Sequence, residues 1–276
     1  MSDDEIHLLR RQLDRERRAR HEAESIAERV TAELYATVQT LVETNEVLDS
    51  ANRSIRDFVA VASHDLRQPL NGIIGLTSLL ISDWDEDDDE HKLSFLSTIV
   101  KQGEHLNRIV EDLLTVSQIE AGAMESHIEE VCLRRLIDEI ATEFVADSRP
   151  SDLSVSCPPD LRIKTDPHHL RRILVNYLTN AFKYGDPPVT VQVDVTDEWV
   201  KLAVCDQGEG VPPEFVPQLF DRFTRADRTA RTRAGTGLGL SIVRGLAAVN
   251  GGEAWYEPHE PRGSCFGLTL PRHAAS

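Results

Sequence analysis

His64 stands in the run Ala62-Ser63-His64-Asp65-Leu66-Arg67-Gln68-Pro69-Leu70, and its place on a helix makes it a candidate nucleophile. At about 100° per residue, Ile55, Phe58, Val59, Ala62, Leu66, Leu70, Ile73, Leu76, Thr77 and Leu80 fall in one narrow apolar stripe. His64 lies two residues from Ala62, almost opposite that stripe, so it is not a core histidine. An ordinary exposed histidine is the plain alternative. Arg67 and Gln68, three and four residues on, share its face, whereas the reach of Asp65 is not fixed by spacing alone. A neutral imidazole beside a carboxylate that fixes its tautomer and takes a proton is a competent nucleophile near neutral pH. Pro69 cannot donate to the carbonyl of Asp65 and is expected to bend the helix, which is also all that it needs to do.

A second group of residues suits a phosphorylated ligand. Asn176, Asn180 and Lys183 recur at spacings of four and three on a predicted helix from Pro167 to Tyr184, and so share a face. Amide oxygens there suit Mg²⁺ and the lysine suits phosphate, although a solvated polar face reads equally well in isolation. Asp206-Gln207-Gly208-Glu209-Gly210 follows a predicted strand. Its carboxylate can accept from an amino group such as that of adenine, while D-x-G-x-G by itself is a common turn. Gly235-Thr236-Gly237-Leu238-Gly239-Leu240 opens a helix running to Asn250, and a glycine-rich turn into a helix N-terminus is a natural phosphate site. It is neither G-x-G-x-x-G nor a Walker A loop, and the H-R-D and D-F-G signatures are missing. Between these turns lie Phe220-Asp221-Arg222-Phe223 and Arg225, Arg228, Arg231 and Arg233, read as a mobile lid or as a solvated basic loop. His168 and His169 invite a metal reading, but neighbouring helical side chains point apart and no ligand cluster accompanies them.

Three kinds of element must position these groups. From Ile6 to Phe58 apolar residues recur every seven positions, including Ile6, Leu13, Ala27, Leu34, Leu41, Leu48 and Ile55, with Leu9, Ala23, Val30, Ala51 and Phe58 three residues after heptad positions. This reads as a coiled coil with weak layers at Arg20, Glu16, Thr37 and Thr44, in preference to a lone exposed helix; it would be roughly 80 Å long. The histidine helix follows directly. Leu93, Leu96, Val100, Leu106, Ile109, Val110, Leu113 and Val116 form a second amphipathic helix ending at Gly122. A helical hairpin results, and two hairpins make a four-helix bundle. After Gly122, strands are predicted over Arg162–Thr165, Val189–Val195, Val200–Cys205 and Cys265–Leu270, and helices over Leu133–Ala146, Pro167–Tyr184 and Leu238–Asn250. The domain boundaries are placed at 1–55 (coiled-coil signal helix), 56–122 (hairpin), 123–130 (linker) and 131–272 (an α+β domain).

Composition limits the function. With 47 acidic and 30 basic side chains in 276 residues, the net charge of -17 argues against a general nucleic-acid binder. Seven acids crowd positions 83–90 and six arginines positions 10–20, blocks that read as a solvated loop and an interaction tail. No apolar run has the length of a membrane span, and the N-terminus lacks a signal-peptide core, so a soluble cytoplasmic chain is expected. Cys132, Cys157, Cys205 and Cys265 are scattered without a C-x-x-C pair, and free thiols are expected.

Taken in order, these segments resemble the sensor histidine kinases of bacterial two-component systems, over about Asn52 to Arg272. Ser63 to Leu70 resembles the phosphoacceptor box and Asn176 to Tyr184 the asparagine box. Asp206 to Gly210, Phe220 to Phe223 and Gly235 to Leu240 resemble the first glycine, phenylalanine and second glycine boxes, and Gly263 to Pro271 the closing strand. The resemblance implies an all-α coiled coil and hairpin forming a dimeric four-helix bundle, followed by a two-layer α+β sandwich of the gyrase and chaperone ATPase type. It implies that His64 attacks the γ-phosphate of ATP with Asp65 as its base. Asn180, helped by Asn176, would hold Mg²⁺, and Lys183 and Tyr184 would approach phosphates. Asp206 would recognise the adenine amino group. Gly208, Gly210, Phe220, Arg225, Gly235, Gly237, Leu238, Gly239 and Leu240 would shape the lid and phosphate turns. The implied partners are a second copy of the chain and a response-regulator receiver domain. Gln68 departs from the Thr or Asn of many members, leaving a dephosphorylating role open. Only some 55 residues precede the histidine helix, so input is expected through the coil from a separate sensor protein unless the chain is truncated. The competing reading is a non-catalytic dimeric scaffold that senses nucleotide. An ATPase or serine kinase on the same fold is weaker, because neither explains the surroundings of His64.

Overall fold

The computed structural model describes residues 3–84, 88–145, 152–224 and 236–272. Its contacts divide the chain into two units, Met1–Ala60 and Val61–Ser276. The first unit is one continuous helix, the larger part of α1 (Asp3–Ser82). Exposed pairs spaced four residues apart, Arg20 with Glu24 and Arg29 with Glu33, support it locally. The heptad residues Leu34, Leu41 and Leu48 are all exposed in the single chain. The side chains of Ile6, Leu9, Leu13, Ala23, Ala27, Ala51 and Phe58 lie outside the described ones.

In the second unit, α1 continues through Pro69 without interruption to Ser82 and is followed by α2 (Asp89–Glu120). Ala62 and Leu80 of α1 and Ile109 and Val116 of α2 are buried. Helix α2 begins four residues before the expected Leu93, for an electrostatic reason. The Asp88 carboxylate accepts from the His91 backbone N–H at 2.8 Å, and Asp89 and Glu90 occupy the first turn, where the helix dipole favours negative charge. Part of the acidic block therefore starts a helix instead of serving only as a loop; Asp85, Glu86 and Asp87 lie outside the described residues.

The remainder of this unit is a two-layer α/β arrangement of β1 (Glu129–Cys132), α3 (Leu133–Val145), β2 (Leu153–Ser156), β3 (Arg162–Thr165), α4 (Pro167–Tyr184), β4 (Val189–Val195), β5 (Trp199–Cys205), α5 (Gly239–Val249), β6 (Glu253–Pro258) and β7 (Ser264–Pro271). Strands β1 and β3 pair as an antiparallel ribbon, and the main sheet has the order β2-β4-β5-β7-β6, with only β2 and β4 parallel. Alternation explains the layering. Val189, Val191 and Val193 of β4 and Val200, Leu202 and Val204 of β5 are buried. So are Leu170, Ile173, Leu174, Tyr177 and Leu178 of α4 and Ile242, Val243 and Leu246 of α5, leaving the polar face of each helix outward. Tyr177 is fully buried, and its hydroxyl donates to the Gly267 carbonyl at 2.7 Å, tying α4 to β7 without leaving a polar group unpaired.

The expectation of four free thiols is overturned. Cys205 and Cys265 face one another across β5 and β7 and are joined in a disulfide, while Cys132 and Cys157 are free. The partners are 60 residues apart in sequence, and only strand register brings them together. Among the described residues no helix is long and apolar enough to cross a membrane.

Candidate active site

His64 projects from α1 with its side chain 68% exposed, while that of Asp65 is only 17% exposed. The Nδ1 of His64 lies 3.1 Å from Asp65 Oδ1. This contact answers what spacing left open: the neighbouring carboxylate does reach the ring. An Nδ1–H donated to Asp65 leaves the lone pair on Nε2, the nitrogen available to an incoming electrophile. Arg67 and Gln68 are exposed nearby, as their helical spacing requires.

The nucleotide-type residues converge at one end of the α/β layer. Asp166 caps α4, its Oδ1 accepting from the backbone N–H groups of His168 and His169 and its Oδ2 from that of His127. Pro167 occupies the first turn, which pre-sets the helix on which Asn176, Asn180 and Lys183 are carried. Asn176 donates from Nδ2 to the Arg172 carbonyl at 3.0 Å, which turns its Oδ1 toward the start of α5. A Cβ added to Gly239 would sit 2.5 Å from that oxygen, so glycine lets the second glycine turn approach the asparagine helix this closely. Among the described residues no side chain caps the N-terminus of α5, a geometry in which first-turn N–H groups can meet an anion. Leu238 is buried and anchors the turn, its N–H bonded to Thr236 Oγ1 at 3.2 Å. The phenylalanine segment clasps the same turn through Phe223 N–H to the Gly237 carbonyl at 3.0 Å. Asn180 is half-buried, and its side chain has no hydrogen-bond partner among the described residues, the condition expected of an amide oxygen free to take a cation. Lys183 Nζ lies 5.1 Å from the ring centroid of the exposed Tyr184.

Asp206 is 4% exposed, accepts from Gly208 N–H at 2.8 Å through Oδ1, and donates its own N–H to the Ser264 carbonyl at 2.9 Å. Burial raises its pKa above the usual carboxylate range, while the backbone N–H groups of Gly208 and Ser264 oppose that rise. The result is a fixed acceptor in a largely dry setting. Sequence reasoning missed two of its neighbours. Any Cβ at Gly185 would collide with the Asp206 carboxyl, and Arg262 donates from Nε to the Gly208 carbonyl and from Nη2 to Asp186. The Gly185 that ends α4 was a visible signal; the arginine, 54 residues from Gly208, had none.

The hairpin and the nucleotide layer touch. Arg172 of α4 donates to Asp112 at 2.7 Å and to Thr115 at 2.6 Å on α2, and Arg222 pairs with Glu120. Burial drives the Asp112 pKa up and Arg172 opposes it. His105 on α2 is lowered mainly by burial, then by Arg108 and Lys183, with Asp65 acting the other way. His105 thus lies within electrostatic range of both Asp65 and Lys183. Arg225, Arg228, Arg231, Arg233 and Gly235 lie outside the described residues. Among the described residues His168 and His169 belong to no group of metal-ligating side chains, and His169 Nδ1 lies 3.0 Å from Asn250 Nδ2.

Comparison with known proteins follows this division. Residues 54–122 match the His Kinase A (phospho-acceptor) domain, and residues 165–274 the histidine kinase-, DNA gyrase B- and HSP90-like ATPase family. The circadian input-output histidine kinase CikA of Synechococcus elongatus is 32% identical over 241 residues, covering 84% of this chain and 32% of CikA. The structure of full-length ShkA in complex with AMPPNP has a TM-score of 0.56 at 27% identity, over 80% of this chain and 46% of that one. Acinetobacter baumannii AdeS shares the fold, with a TM-score of 0.61 at 22% identity over 76% of this chain and 98% of that one. The chain spans between about a quarter and about a half of the length of the curated relatives it matches.

Proposed function

The chain belongs to the sensor histidine kinases of two-component systems, and from that premise we propose that it transfers the γ-phosphoryl group of ATP to His64 and then to an aspartate of a response-regulator receiver domain. The observation that carries this reading is the exposed His64 ring with Nδ1 3.1 Å from Asp65. Attack by Nε2 forms the N–P bond as the bond from γ-phosphorus to the bridging oxygen breaks, and ADP leaves with that electron pair. The ring gains positive charge during the step, and Asp65, already bonded to Nδ1, acts as the base that accepts the Nδ1 proton and leaves a neutral phosphohistidine. Such transfer depends chiefly on positioning and charge neutralisation. Asp206 would receive the adenine amino group. The N-terminus of α5, with Gly237, Leu238, Gly239 and Leu240, would take phosphate oxygens, with Lys183 and Tyr184 beside them. Gly208, Gly210 and Phe220 would shape the surrounding turns.

Asn180, with Asn176 one turn earlier, would hold a Mg²⁺ ion; hard-cation chemistry suits a half-buried amide oxygen whose side chain has no hydrogen-bond partner among the described residues. When bound, the ion would neutralise charge on the β- and γ-phosphates. We assign residues 1–55 to a signal helix, 56–122 to dimerisation and phosphotransfer, 123–130 to a linker and 131–272 to nucleotide binding. A homodimer is supported by Leu70, Ile74, Leu93, Leu96 and Leu114, apolar side chains of the hairpin left exposed in a single chain. Gln68, one helical turn beyond His64, is the candidate for orienting water in dephosphorylation of the regulator. A separate sensor acting through residues 1–55 would supply input.

The direct test incubates the full chain with γ-labelled ATP and Mg²⁺. Acid-labile, alkali-stable label that disappears in His64→Gln supports the reading. ATP binding without label on His64 would instead establish the non-catalytic scaffold.

A further inference from the structure

The disulfide between Cys205 and Cys265 is not required by the nucleotide chemistry, and its position gives it a consequence for that chemistry. It joins the last facing pair of the β5–β7 ladder, whose other six pairs run from Trp199 with Pro271 to Val204 with Phe266. Six further facing pairs set this register in addition to the covalent bond. The bond lies where the ladder ends and where strand ends open most easily. The next residue is Asp206, whose N–H bonds to Ser264, the residue before Cys265. Cys205 and Cys265 are 3% and 9% exposed and pack with Ala203 and Trp255 in a small cluster. They therefore reach Asp206 through the backbone. His259, half-buried in the connection between β6 and β7, places Nδ1 3.4 Å from Cys265 Sγ. An imidazole at that distance can take the proton of a thiol and make it a nucleophile.

We propose that Cys205 and Cys265 are a reversible dithiol–disulfide site that exchanges with small-molecule disulfides and, by clamping the strand ends that carry Asp206, sets the affinity for nucleotide. The Cys265 thiol gives its proton to His259 and its thiolate attacks a disulfide RSSR, forming a mixed disulfide and releasing RS⁻, which that proton converts to RSH. The Cys205 thiolate then attacks the Cys265 sulfur, expels the second RS⁻ and closes the ring; the Cys205 proton leaves with it as RSH. Two protein thiols are oxidised and one RSSR is reduced to two RSH. Closing the pair holds the Asp206 backbone against Ser264, so the oxidised form binds ATP more tightly, by about threefold to tenfold, near the lower end of typical coupling between two sites.

The nucleotide half of this proposal rests on the ATP-binding reading above, and the test separates the two. The full chain is equilibrated with mixtures of reduced and oxidised glutathione and quenched with an alkylating agent. Mass spectrometry then counts the thiols on Cys205 and Cys265, and calorimetry measures ATP affinity for each form. The expected result is loss of both thiols together and a threefold to tenfold tighter Kd for the oxidised form. Cys205→Ser/Cys265→Ser is expected to bind ATP like the reduced chain and to ignore glutathione. Thiols that stay alkylatable in fully oxidised glutathione overturn the exchange, as does a stoichiometric zinc ion held by Cys205, His259 and Cys265 that blocks alkylation. Equal ATP affinity in the two forms overturns the coupling. ATP binding in neither form refutes the nucleotide reading and the coupling with it, while the thiol count still decides the exchange.

Discussion

Replacing Asp206 by Asn is expected to separate the proposed nucleotide recognition from folding. In the wild type Oδ1 accepts from Gly208 N–H at 2.8 Å, and Asp206 is 4% exposed. The Asn carbonyl can keep the bond to Gly208, but its second atom becomes an NH₂ group. Facing an adenine amino group, that donor replaces a charged acceptor. A hydrogen bond to a charged group contributes about 1.5–3 kcal/mol, so ATP affinity is expected to fall roughly 10- to 150-fold. Stability moves differently. Burial raises the Asp206 pKa above its unfolded value, so its contribution to stability is full below the unfolded value and is lost as pH rises through the folded value. At neutral pH the charge is a liability, and Asn is expected to leave the unliganded protein at least as stable as the wild type. Calorimetry with ATP and urea unfolding without it measure the two effects. Inosine triphosphate, which carries a carbonyl in place of the amino group, should bind the wild type worse than ATP, and Asp206→Asn should erase that preference. A folded Asp206→Asn protein with ATP affinity within twofold of wild type would refute the assignment.

Other perturbations test the scaffold around the site. Gly239→Ala should lower ATP affinity at least tenfold by calorimetry, because the added methyl group would stand 2.5 Å from Asn176 Oδ1; wild-type affinity would show that the turn yields freely. Arg172→Ala removes donors to Asp112 and Thr115 and should cost about 1–3 kcal/mol in urea unfolding, with much of that cost absent in an Asp112→Asn background. The pH dependence should reveal His169, whose pKa is lowered chiefly by burial. Asn250 Oδ1 accepts from Asp166 N–H at 3.1 Å, which directs its Nδ2 donor at His169 Nδ1. This neutral-ring contribution is present above the usual histidine pKa and is lost as pH falls through the lowered folded value. Urea midpoints measured below about pH 6.5 should therefore decline in the wild type and decline less in His169→Gln.

Much of the fold was legible where local pattern and tertiary demand agree. Pro167–Tyr184 and Val189–Val195 match the predicted limits because each carries its own stop and start signals: an Asp cap with Pro at one, strict valine alternation at the other. Strands β1, β2 and β6 escaped prediction. Glu129–Cys132 and Leu153–Ser156 are only four residues long and are strands because β3 and β4 supply partners, while Glu253–Pro258 is an edge strand that lacks clean alternation. The site divides in the same way. The placement of His64 followed from helical periodicity, and the boxes from residue type and order. The contact of Asp65 with Nδ1, the arginine behind Gly208, the cross-strand cysteines and the junction of Arg172 with α2 all depend on side-chain rotamers or on pairings at long sequence separation. No window of sequence contains them.

The central claim is that Nε2 of His64 accepts the phosphoryl group while Asp65 holds Nδ1. Phosphorus and nitrogen NMR on chain enriched with ¹⁵N in its histidine rings, after reaction with ATP and Mg²⁺, reads the bonded nitrogen directly. The expected result is one phosphohistidine, with phosphorus coupled to Nε2 of His64 and no such signal in His64→Gln. Phosphorus bonded to Nδ1, or a phosphohistidine that survives in His64→Gln, would contradict it.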